Sequence, residues 1–334
     1  MNEPTMLQSR ASREVTVLIA AFNSEKTIAT AIKSALAQEE SAEVVVIDDC
    51  SNDGTVERAV AAAGNDPRFK LIEQPFNQGP SAARNRGIAA SSAPFLSVLD
   101  ADDAFIPGRF ANLPANESWD LCADNIRFTR DPESFRQISE ETAQSPRSCT
   151  IGFKTFVNGN IGKRGKKRTE LGFLKPVIRR EFLDHHNLRF DESCRLGEDF
   201  ILYAQMLAKG ARFTLIEACG YLALERDNSL SSDHSVTHLR ALLKASSELA
   251  TLNGLSSEAN AALRIHSKLV SEKIAHREVL EKRRHDGIVN AIAAMASRPT
   301  TLRDILHDRF HKQPPPERGP LKLISSEAFS RLMG

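Results

Sequence analysis

The fold is decided by residues 44–63, which read VVVIDDCSNDGTVERAVAAA. Residues 44–47 form a short apolar run typical of a buried strand, and Asp53 is suited to be the N-cap of a helix that extends through Ala63. A strand that is apolar at consecutive positions is buried on both faces, as in a parallel sheet covered by helices. This unit therefore predicts an α/β fold.

The same alternation continues on both sides of this stretch. We predict further strands at residues 15–20, 69–72 and 95–99, and helices at residues 27–37 and 81–90. Beyond residue 107 the pattern is weaker, and the predicted elements are strands at 119–128, at 171–178 and within 213–224, a helix at 200–209, a polar loop at 130–150 and a basic loop at 162–168.

Composition excludes several classes of protein. The chain has 334 residues, 41% of them hydrophobic and 26% charged, which is ordinary for a soluble globular protein of about two domains. It has no apolar run near the roughly 20 residues that cross a bilayer, and residues 1–13 lack the apolar stretch of a signal peptide. Five cysteines without a C-x-x-C pair indicate reduced thiols and no zinc site. We therefore expect a cytoplasmic protein.

The C-terminal third has a different charge from the rest. Residues 235–334 carry six more basic than acidic side chains, although the whole chain has a net charge of only +1. The pattern is helical from residue 235 to about 296, with breaks near Gly254 and Gly287. A basic amphipathic segment suits the inner face of a membrane or a partner chain. A helix packed on the rest of the protein, with a solvated basic face, explains the pattern equally well.

Polar side chains follow each strand predicted in the first 110 residues. Residues 21–24, 48–54, 74–79 and 100–103 come directly after the four strands and are rich in polar, acidic or glycine residues. The carboxyl ends of parallel strands meet at one edge of a sheet, where such folds bind ligands. Any one of these segments is explained as a turn, but four turns at one edge predict a ligand site.

The acidic segment at residues 100–103 indicates a metal. Asp100, Asp102 and Asp103 repel one another, and a divalent cation relieves that repulsion. Oxygen ligands suit Mg²⁺ or Mn²⁺, usually together with substrate phosphates. In the alternative interpretation, Asp102 or Asp103 caps a helix that begins near Pro107, which accounts for one aspartate and not three.

Further residues narrow the class of ligand. The first unit has neither a P-loop nor a G-x-G-x-x-G motif, which disfavours a P-loop ATPase and a dinucleotide dehydrogenase. Arg84 or Arg86 would then hold phosphates together with the metal, unless both are simply solvated. Glu198 and Asp199 open a later helix, where helix capping is an alternative to a functional role.

In order and spacing, these motifs resemble those of family 2 glycosyltransferases. The matching segments are residues 15–23, 44–55, 77–87, 99–103 and 197–199, within a resemblance that covers about residues 15–230. The resemblance implies a GT-A fold, with a mostly parallel nucleotide-binding sheet flanked by helices, and here a C-terminal helical appendage. We expect a flexible N-terminus at 1–12, the GT-A catalytic domain at 13–234, a helical region at 235–312 and a proline-containing tail at 313–334.

The resemblance also implies a reaction. The chain is similar to bacterial exopolysaccharide glucosyltransferases of the succinoglycan type, which implies transfer of one hexose, glucose, with inversion. We expect a UDP-sugar donor, Mg²⁺ or Mn²⁺, and a saccharide or lipid-linked saccharide acceptor. We expect no nucleic-acid partner, and whether the chain forms a homo-oligomer is left open. The Q-x-x-R-W motif of processive synthases is absent from the sequence, so single additions are expected.

Roles for individual residues follow from the resemblance. Asp199 would be the catalytic base, with Glu198 as the neighbouring candidate, and Asp102 would bind the metal beside Asp100. The residues implied in nucleotide-sugar binding are Ala21, Phe22, Asn23, Asp48, Asp49, Asn77, Gly79, Arg84, Asp100, Ala101, Arg226 and Ser229.

Within that set, the resemblance places Phe22 near the base and makes Asp49 the acceptor of a hydrogen bond from uracil. Arg84 would lie near the diphosphate, and Arg226 with Ser229 would belong to a loop over it. Two departures concern the same pocket. Residues 20–21 are both alanine where the family has proline before its aromatic-asparagine pair, and Cys50 stands where glycine is usual. These departures put the identity of the donor in doubt, but not the fold.

Two other functions remain as alternatives. A sugar-nucleotide nucleotidyltransferase would also place metal-binding carboxylates at a sheet edge, but it normally needs a basic glycine-rich loop after the first strand, and residues 20–24 contain none. A non-catalytic sugar-nucleotide-binding protein would carry a decayed site, whereas Asp49, Asp102 and Asp199 are all present.

Overall fold

The computed structural model describes residues 13–115, 118–130, 147–161, 171–225, 235–252, 254–285 and 321–333. Within these ranges one sheet is formed by β1 Val15–Ala21, β2 Ser41–Asp48, β3 Phe69–Glu73, β4 Phe95–Val98, β5 Ala104–Phe105, β6 Leu121–Thr129, β7 Ser148–Ile151, β8 Val177–Arg179, β9 Phe213–Leu224 and β10 Leu321–Lys322. The helices are α1 Ile28–Leu36, α2 Thr55–Ala63, α3 Pro80–Ala89, α4 Phe153–Gly159, α5 Arg180–His185, α6 Glu198–Ala208, α7 Val236–Leu249, α8 Ser257–His285 and α9 Ser326–Met333.

The sheet has the order β3-β2-β1-β4-β8-β6-β9-β5. Strands β1 to β4 pair in parallel, and β8 joins them to the second half of the sheet by antiparallel pairing with both β4 and β6. Strand β6 then pairs in parallel with β9. The predicted α/β fold with a mostly parallel sheet is confirmed, and the ends of β1, β2 and β4 meet at one edge, which we call the carboxyl-end rim.

Helix α3 lies unusually close to the sheet. A Cβ atom on Gly87 would come within 2.7 Å of Ile47 and 2.8 Å of Leu18, which belong to β2 and β1. Both side chains are fully buried or nearly so, because these strands are covered on both faces. Glycine at this position therefore permits the close packing that brings α3, and with it Arg84, against the carboxyl-end rim.

The predicted strand at residues 171–178 is wrong in its details. Residues 171–178 form a single-turn 3₁₀ helix, Leu171–Phe173, and only the short strand β8, instead of one strand. The N–H of Gly172 donates to Oδ1 of Asn160 at 2.6 Å, and Pro176 has no N–H to donate to a ladder. The alternative interpretation, in which Asp102 or Asp103 caps a helix near Pro107, is not supported. Within the described residues 13–115 no α-helix begins there: residues 104–105 form β5, and Phe110–Asn112 form a single-turn 3₁₀ helix.

The helical region after residue 235 packs on the sheet-containing part of the protein. Helix α7 contacts both α6 and α8, and α8 also contacts α4. Leu239, Leu242 and Leu249 recur at intervals of three and seven residues in the segment predicted to be amphipathic, and they are buried in the core. That apolar face is therefore occupied by the protein itself. Residues 286–312 of the predicted helical region lie outside the described residues, as do residues 131–146 of the predicted polar loop and the whole predicted basic loop at 162–168. The end of the predicted polar loop, residues 148–150, belongs instead to β7.

Part of the predicted proline-containing tail is also integrated in the fold. Strand β10 pairs antiparallel with β6, and the side chain of Asn125 donates to the carbonyl of Ile324 at 2.6 Å and accepts from its N–H at 3.0 Å. Phe329 of α9 is buried. Residues 321–333 thus cover a segment of β6 that would otherwise be an unpaired edge.

None of the helices in the described part of the chain is long and apolar enough to cross a membrane.

Candidate active site

The ends of β1 and β2 are joined by hydrogen bonds at the carboxyl-end rim. The N–H of Asn23 donates to Oγ of Ser51 at 2.9 Å, and Oδ1 of Asn23 accepts from the N–H of Asn52 at 2.8 Å. Asn23 has a φ of 49°, a left-handed conformation that asparagine tolerates better than most residues. The neighbouring Phe22 side chain is 42% exposed, so an aromatic face is open to a ligand beside this turn.

Asp49 connects the end of β2 to the start of α3. Its Oδ1 accepts from Nε2 of Gln74 and from the N–H of Gln78, both at 2.7 Å, and its Oδ2 accepts from the N–H of Gly79 at 2.7 Å. A carboxylate has about four acceptor positions, so about one remains for a ligand. The adjacent Asp48 accepts from the N–H of Ser51 at 2.9 Å, while its Oδ1 is buried without a hydrogen-bond partner in the described structure.

The turn before α3 packs against the loop before α6. Gly79 has a φ of 91°, and a Cβ there would lie 3.2 Å from Nε of Arg195. The guanidinium of Arg195 donates to Oδ1 of Asn77 at 3.2 Å, and Nδ2 of Asn77 donates to the carbonyl of Asp49 at 3.2 Å. Glycine is favoured at position 79 by its backbone conformation, and the close approach of Arg195, whose side chain is exposed and can shift, adds a smaller constraint.

The turn after β2 carries one of the two departures from the family pattern. Cys50 has a φ of 65°, in the left-handed region where glycine is favoured. This conformation gives a physical reason for the glycine that the family usually has at this position. Ala21 and Ala101, also expected in the pocket, are buried and present no polar side chain.

Asp100 is held by two cations. Nη2 of Arg84 lies 2.9 Å from its Oδ1, and Nζ of Lys175 lies 3.0 Å from its Oδ2. Burial raises the pKa of Asp100, but the charges of Lys175 and Arg84 outweigh burial and lower the pKa to about 2. Asp100 is therefore ionised at neutral pH, and its charge is compensated by the protein.

Asp103 has a structural environment. The hydroxyl of Tyr221 donates to its Oδ2 at 2.7 Å, and the N–H of Leu224 donates to its Oδ1 at 2.9 Å. Burial, followed by the charges of Asp102 and Asp100, raises the pKa of Asp103 well above its ordinary value. Of the three aspartates in this segment, Asp100 is therefore paired with protein cations and Asp103 with protein hydrogen-bond donors. The half-buried Asp102 is then the main candidate for a metal ligand.

The acidic segment after β4 suits a divalent cation that is bound partly by the protein and partly by a substrate. The described residues contain no cluster of three or more His, Cys, Asp or Glu side chains arranged to hold a metal by themselves. Mg²⁺ is commonly bound by one or two carboxylates together with substrate phosphates. Asp102, with Asp100 two residues before it, supplies that kind of donor set.

The second acidic pair is joined to the first by the same cations. Nη1 of Arg84 lies 2.7 Å from Oε1 of Glu198 and 3.6 Å from Oδ1 of Asp199. Nζ of Lys175 lies 2.6 Å from Oδ2 of Asp199. Asp199 thus hydrogen-bonds to a lysine instead of capping α6, whose N-cap is Gly197. We call Arg84, Lys175, Asp100, Glu198 and Asp199 the ion-pair cluster.

Sequence reasoning missed Lys175. It lies in the stretch 171–178, where it is the only charged residue of an otherwise apolar or glycine- and proline-containing run. A charge inside a run predicted to be buried was the available signal, since buried charges are paired. Arg226 and Ser229, expected over the diphosphate, lie outside the described residues.

A mostly parallel nucleotide-binding half-sheet, a D-x-D segment after β4 and an acid pair at the start of α6 together form the arrangement expected of a GT-A glycosyltransferase. Residues 16–117 match the family described as Glycosyl transferase family 2. The succinoglycan biosynthesis protein ExoU of Rhizobium meliloti (strain 1021) is 41% identical over 300 residues, which are 90% of this chain and 88% of that protein. This chain therefore belongs to glycosyltransferase family 2, as its motifs predicted.

A second relative and two solved structures agree with this assignment. The succinoglycan biosynthesis protein ExoO of the same organism is 39% identical over 237 residues, 70% of this chain and 66% of that protein. S. aureus TarS 1–349 in complex with UDP-GlcNAc has a TM-score of 0.58 at 18% identity and covers 81% of this chain and 74% of its own. Mannosyltransferase PcManGT from Pyrobaculum calidifontis, in complex with GDP-Man and Mn²⁺, has a TM-score of 0.53 at 15% identity and covers 86% of this chain and 79% of its own. These likenesses confirm the GT-A fold.

Proposed function

We propose that this protein is an inverting glycosyltransferase that moves one glucose unit from UDP-glucose to a saccharide or lipid-linked saccharide during exopolysaccharide synthesis. The observation that carries the proposal is the ion-pair cluster, in which Arg84 and Lys175 each contact both Asp100 and Asp199. Asp100, at the carboxyl-end rim, and Asp199, at the start of α6, therefore lie around the same two cations, where the donor and the acceptor can meet. The names of ExoU and ExoO support the pathway, and the UDP-GlcNAc complex of TarS supports a UDP-sugar.

The nucleotide is proposed to bind along the carboxyl-end rim. The exposed ring of Phe22 offers a flat apolar surface to the base, beside the turn of Asn23. The remaining acceptor position of Asp49 suits the N–H of uracil, with Asp48 next to it. Asn77 and Gly79 complete this side of the pocket.

The diphosphate is proposed to lie at Asp102 and Asp100, which would hold Mg²⁺ or Mn²⁺ through hard oxygen ligands. A divalent cation held there would supply positive charge to offset the negative charge that develops on the leaving diphosphate. Arg84 is only 4% exposed and is surrounded by three carboxylates, so in this proposal it orders the acids and does not contact the diphosphate directly.

Asp199 is proposed to be the base. Its Oδ2 is held by Lys175, whereas its Oδ1 is buried and has no hydrogen-bond partner among the described residues. The acceptor hydroxyl loses its proton to Oδ1 while its oxygen bonds to the anomeric carbon and the bond from that carbon to the diphosphate oxygen breaks. Attack from the face opposite the leaving group inverts the anomeric configuration.

The experiment that tests this function is a donor screen with the full chain. UDP-glucose, UDP-galactose and UDP-N-acetylglucosamine are incubated with Mg²⁺ or Mn²⁺, and released UDP is measured, because slow hydrolysis of the donor needs no acceptor. We expect release of UDP from UDP-glucose that stops when EDTA is added. A parallel incubation with UTP and glucose 1-phosphate tests the alternative, because release of pyrophosphate there would identify a nucleotidyltransferase. UDP binding without turnover, with or without acceptors, would identify a non-catalytic binding protein.

For a lipid-linked acceptor, contact with the inner face of a membrane would depend on basic side chains. The leucines of α7 are buried in the core, whereas Arg264, Lys268, Lys273 and Lys282 of α8 are exposed. Attraction to anionic lipid would therefore be electrostatic, and would weaken as salt is raised.

A further inference from the structure

Lys175 occupies a junction between the two acidic sites. It comes directly before Pro176 and β8, the strand that joins the parallel half of the sheet to the rest. Its side chain is nearly fully buried, with 7% exposure, so its ammonium group reaches Asp100 and Asp199 from inside the protein. Neither the sequence motifs nor the comparisons assign it a role.

The charge balance of the ion-pair cluster depends on this lysine. Three carboxylates, those of Asp100, Glu198 and Asp199, face two cations. The ammonium of Lys175 lies 3.0 Å from Asp100 and 2.6 Å from Asp199, so it supplies one of the two positive charges that these acids face. Without it, three buried or half-buried carboxylates would share the single charge of Arg84.

The contact also distinguishes the two oxygens of Asp199. The ammonium of Lys175 lies 2.6 Å from Oδ2, which fixes the orientation of the carboxylate. The other oxygen, Oδ1, lies 3.6 Å from Nη1 of Arg84 and has no hydrogen-bond partner in the described structure. The lysine thereby leaves one defined oxygen for the proton of the acceptor.

We propose that Lys175 is a positioning residue for glycosyl transfer, which holds Asp199 by Oδ2 so that Oδ1 receives the acceptor proton, and which keeps Asp199 at a fixed distance from Asp100. This inference rests on the proposed function. In the transfer step the proton moves from the acceptor hydroxyl to Oδ1, and Lys175 keeps all its protons and its charge throughout. A misplacement of about 1 Å in a reacting group can cost about 10²-fold in rate, so the contact has a large effect on turnover.

The test compares Lys175→Met, Lys175→Arg and Tyr203→Phe in the full chain. Methionine has a similar length without the charge, and arginine keeps the charge with a different reach. Tyr203, one helical turn after Asp199, is fully buried and its hydroxyl has no hydrogen-bond partner in the described residues, so its removal controls for disturbance of the same region. Transfer kcat, UDP affinity with Mn²⁺ and melting temperature are measured for each.

We expect kcat to fall by about 10²-fold in Lys175→Met and by about tenfold in Lys175→Arg, with UDP affinity within about threefold of the wild type and Tyr203→Phe unchanged. If Lys175→Met does not fold, Lys175→Arg carries the test. A wild-type kcat in the folded Lys175→Met, or in Lys175→Arg when the methionine variant is unfolded, overturns the inference.

A double-mutant cycle separates positioning from general damage. Because Lys175 acts through Asp199, Lys175→Met should cost little further activity in a chain that already carries Asp199→Asn. A multiplicative loss in the double variant would overturn the role. A wild-type chain that transfers sugar from no UDP-hexose would overturn the proposed function itself, whereas an active wild type with fully active lysine variants would overturn only the role of Lys175.

Discussion

Arg84 of α3 and Glu198 of α6 form an ion pair of 2.7 Å, although 114 positions separate them in the chain. The same guanidinium reaches Asp100 at 2.9 Å, so one side chain joins α3, the acidic segment after β4 and the start of α6. Burial lowers the pKa of Arg84, but the charges of Asp199, Glu198 and Asp100 outweigh burial and raise it. The acids of the proposed donor and acceptor sides are therefore held in place before any substrate binds.

Arg84→Gln should destabilise the fold. Three carboxylates would lose a buried counter-charge, and breaking a buried ion pair from one side costs about 3–5 kcal/mol. The measurement is the free energy of unfolding in urea, with Arg58→Gln as the control, because Arg58 is 65% exposed and lies 4.0 Å from Glu25. Equal free energies for the two variants would show that the cluster contributes little to stability.

Asp102→Asn and Asp103→Asn should differ in metal-dependent binding. We expect Asp102→Asn to weaken UDP affinity and to reduce its dependence on Mn²⁺, because it removes the proposed ligand. Asp103→Asn should keep metal-dependent binding, because the carboxylate of Asp103 is turned toward Tyr221 and Leu224. Titration calorimetry with UDP, with and without Mn²⁺, checks both. Metal-independent UDP binding of equal strength in the wild type and Asp102→Asn would show that UDP binding does not use a metal held by Asp102.

Leu242→Ala should destabilise the protein through the start of α6. A Cβ on Gly197 would lie 2.9 Å from Cδ1 of Leu242, so α7 packs directly on the residue before Glu198. A buried leucine replaced by alanine costs about 2–5 kcal/mol. Ile265→Ala, at a side chain that is 50% exposed, is the matched control in urea unfolding.

Because the helical region packs on the start of α6, we expect a 1–234 truncation to lose its fold. A folded, active truncation would contradict this view of the helical region.

His266 should weaken the fold in acid. Its ring stacks on Phe200 at 4.5 Å and lies near Ser246, and burial, with a smaller effect of Lys273, lowers its pKa from 6.5 to about 4. Between these values the unfolded chain binds a proton that the folded chain does not, so the stability contributed by the neutral ring is lost as pH falls. The loss approaches about 3 kcal/mol at pH 4.

Urea unfolding of the wild type and His266→Phe at pH 7 and pH 4.5 tests this contribution. The variant should lose less stability between the two values than the wild type, while His185→Phe, at an exposed position, serves as the control for the substitution. An identical loss in the wild type and His266→Phe would show that this ring does not contribute.

The parallel half of the sheet could be predicted from sequence because its strands are continuous apolar runs. Val44 to Ile47 are all fully buried, and the polar segments that follow β1, β2 and β4 do meet at one rim. The motif residues Asp100 and Asp199 also lie around common cations, since Lys175 contacts both. This agreement arises because local patterns report burial directly.

What could not be predicted depends on contacts between distant segments. Asp103 has the same chemistry as Asp102 in the sequence, and only its pairing with Tyr221, 118 positions away, distinguishes it. The leucines of α7 have the spacing of a membrane-binding face and of a core-facing one, and packing against α6 decides between them. Lys175 lies outside every motif, so its contacts with both acids appear only in three dimensions.

The central claim is that Asp199 removes the proton of the acceptor during transfer from a UDP-sugar. Asp199→Asn keeps the shape of the side chain but cannot take up that proton. Glu198→Gln is the matched control, because Glu198 is adjacent and hydrogen-bonds to Arg84 instead of Lys175. UDP affinity with metal should hardly change in Asp199→Asn, since this residue contacts neither the metal nor the diphosphate in the proposed mechanism.

The most direct measurement is the rate of sugar transfer from the UDP-sugar to its acceptor by the wild type, Asp199→Asn and Glu198→Gln. UDP affinity and melting temperature are measured for each protein, so that a loss of binding or of fold is not taken for a loss of catalysis. We predict a fall of about 10²–10⁴-fold in Asp199→Asn and a clearly smaller one in Glu198→Gln. Transfer retained by Asp199→Asn and lost by Glu198→Gln would move the base by one residue, and transfer retained by both would contradict the mechanism.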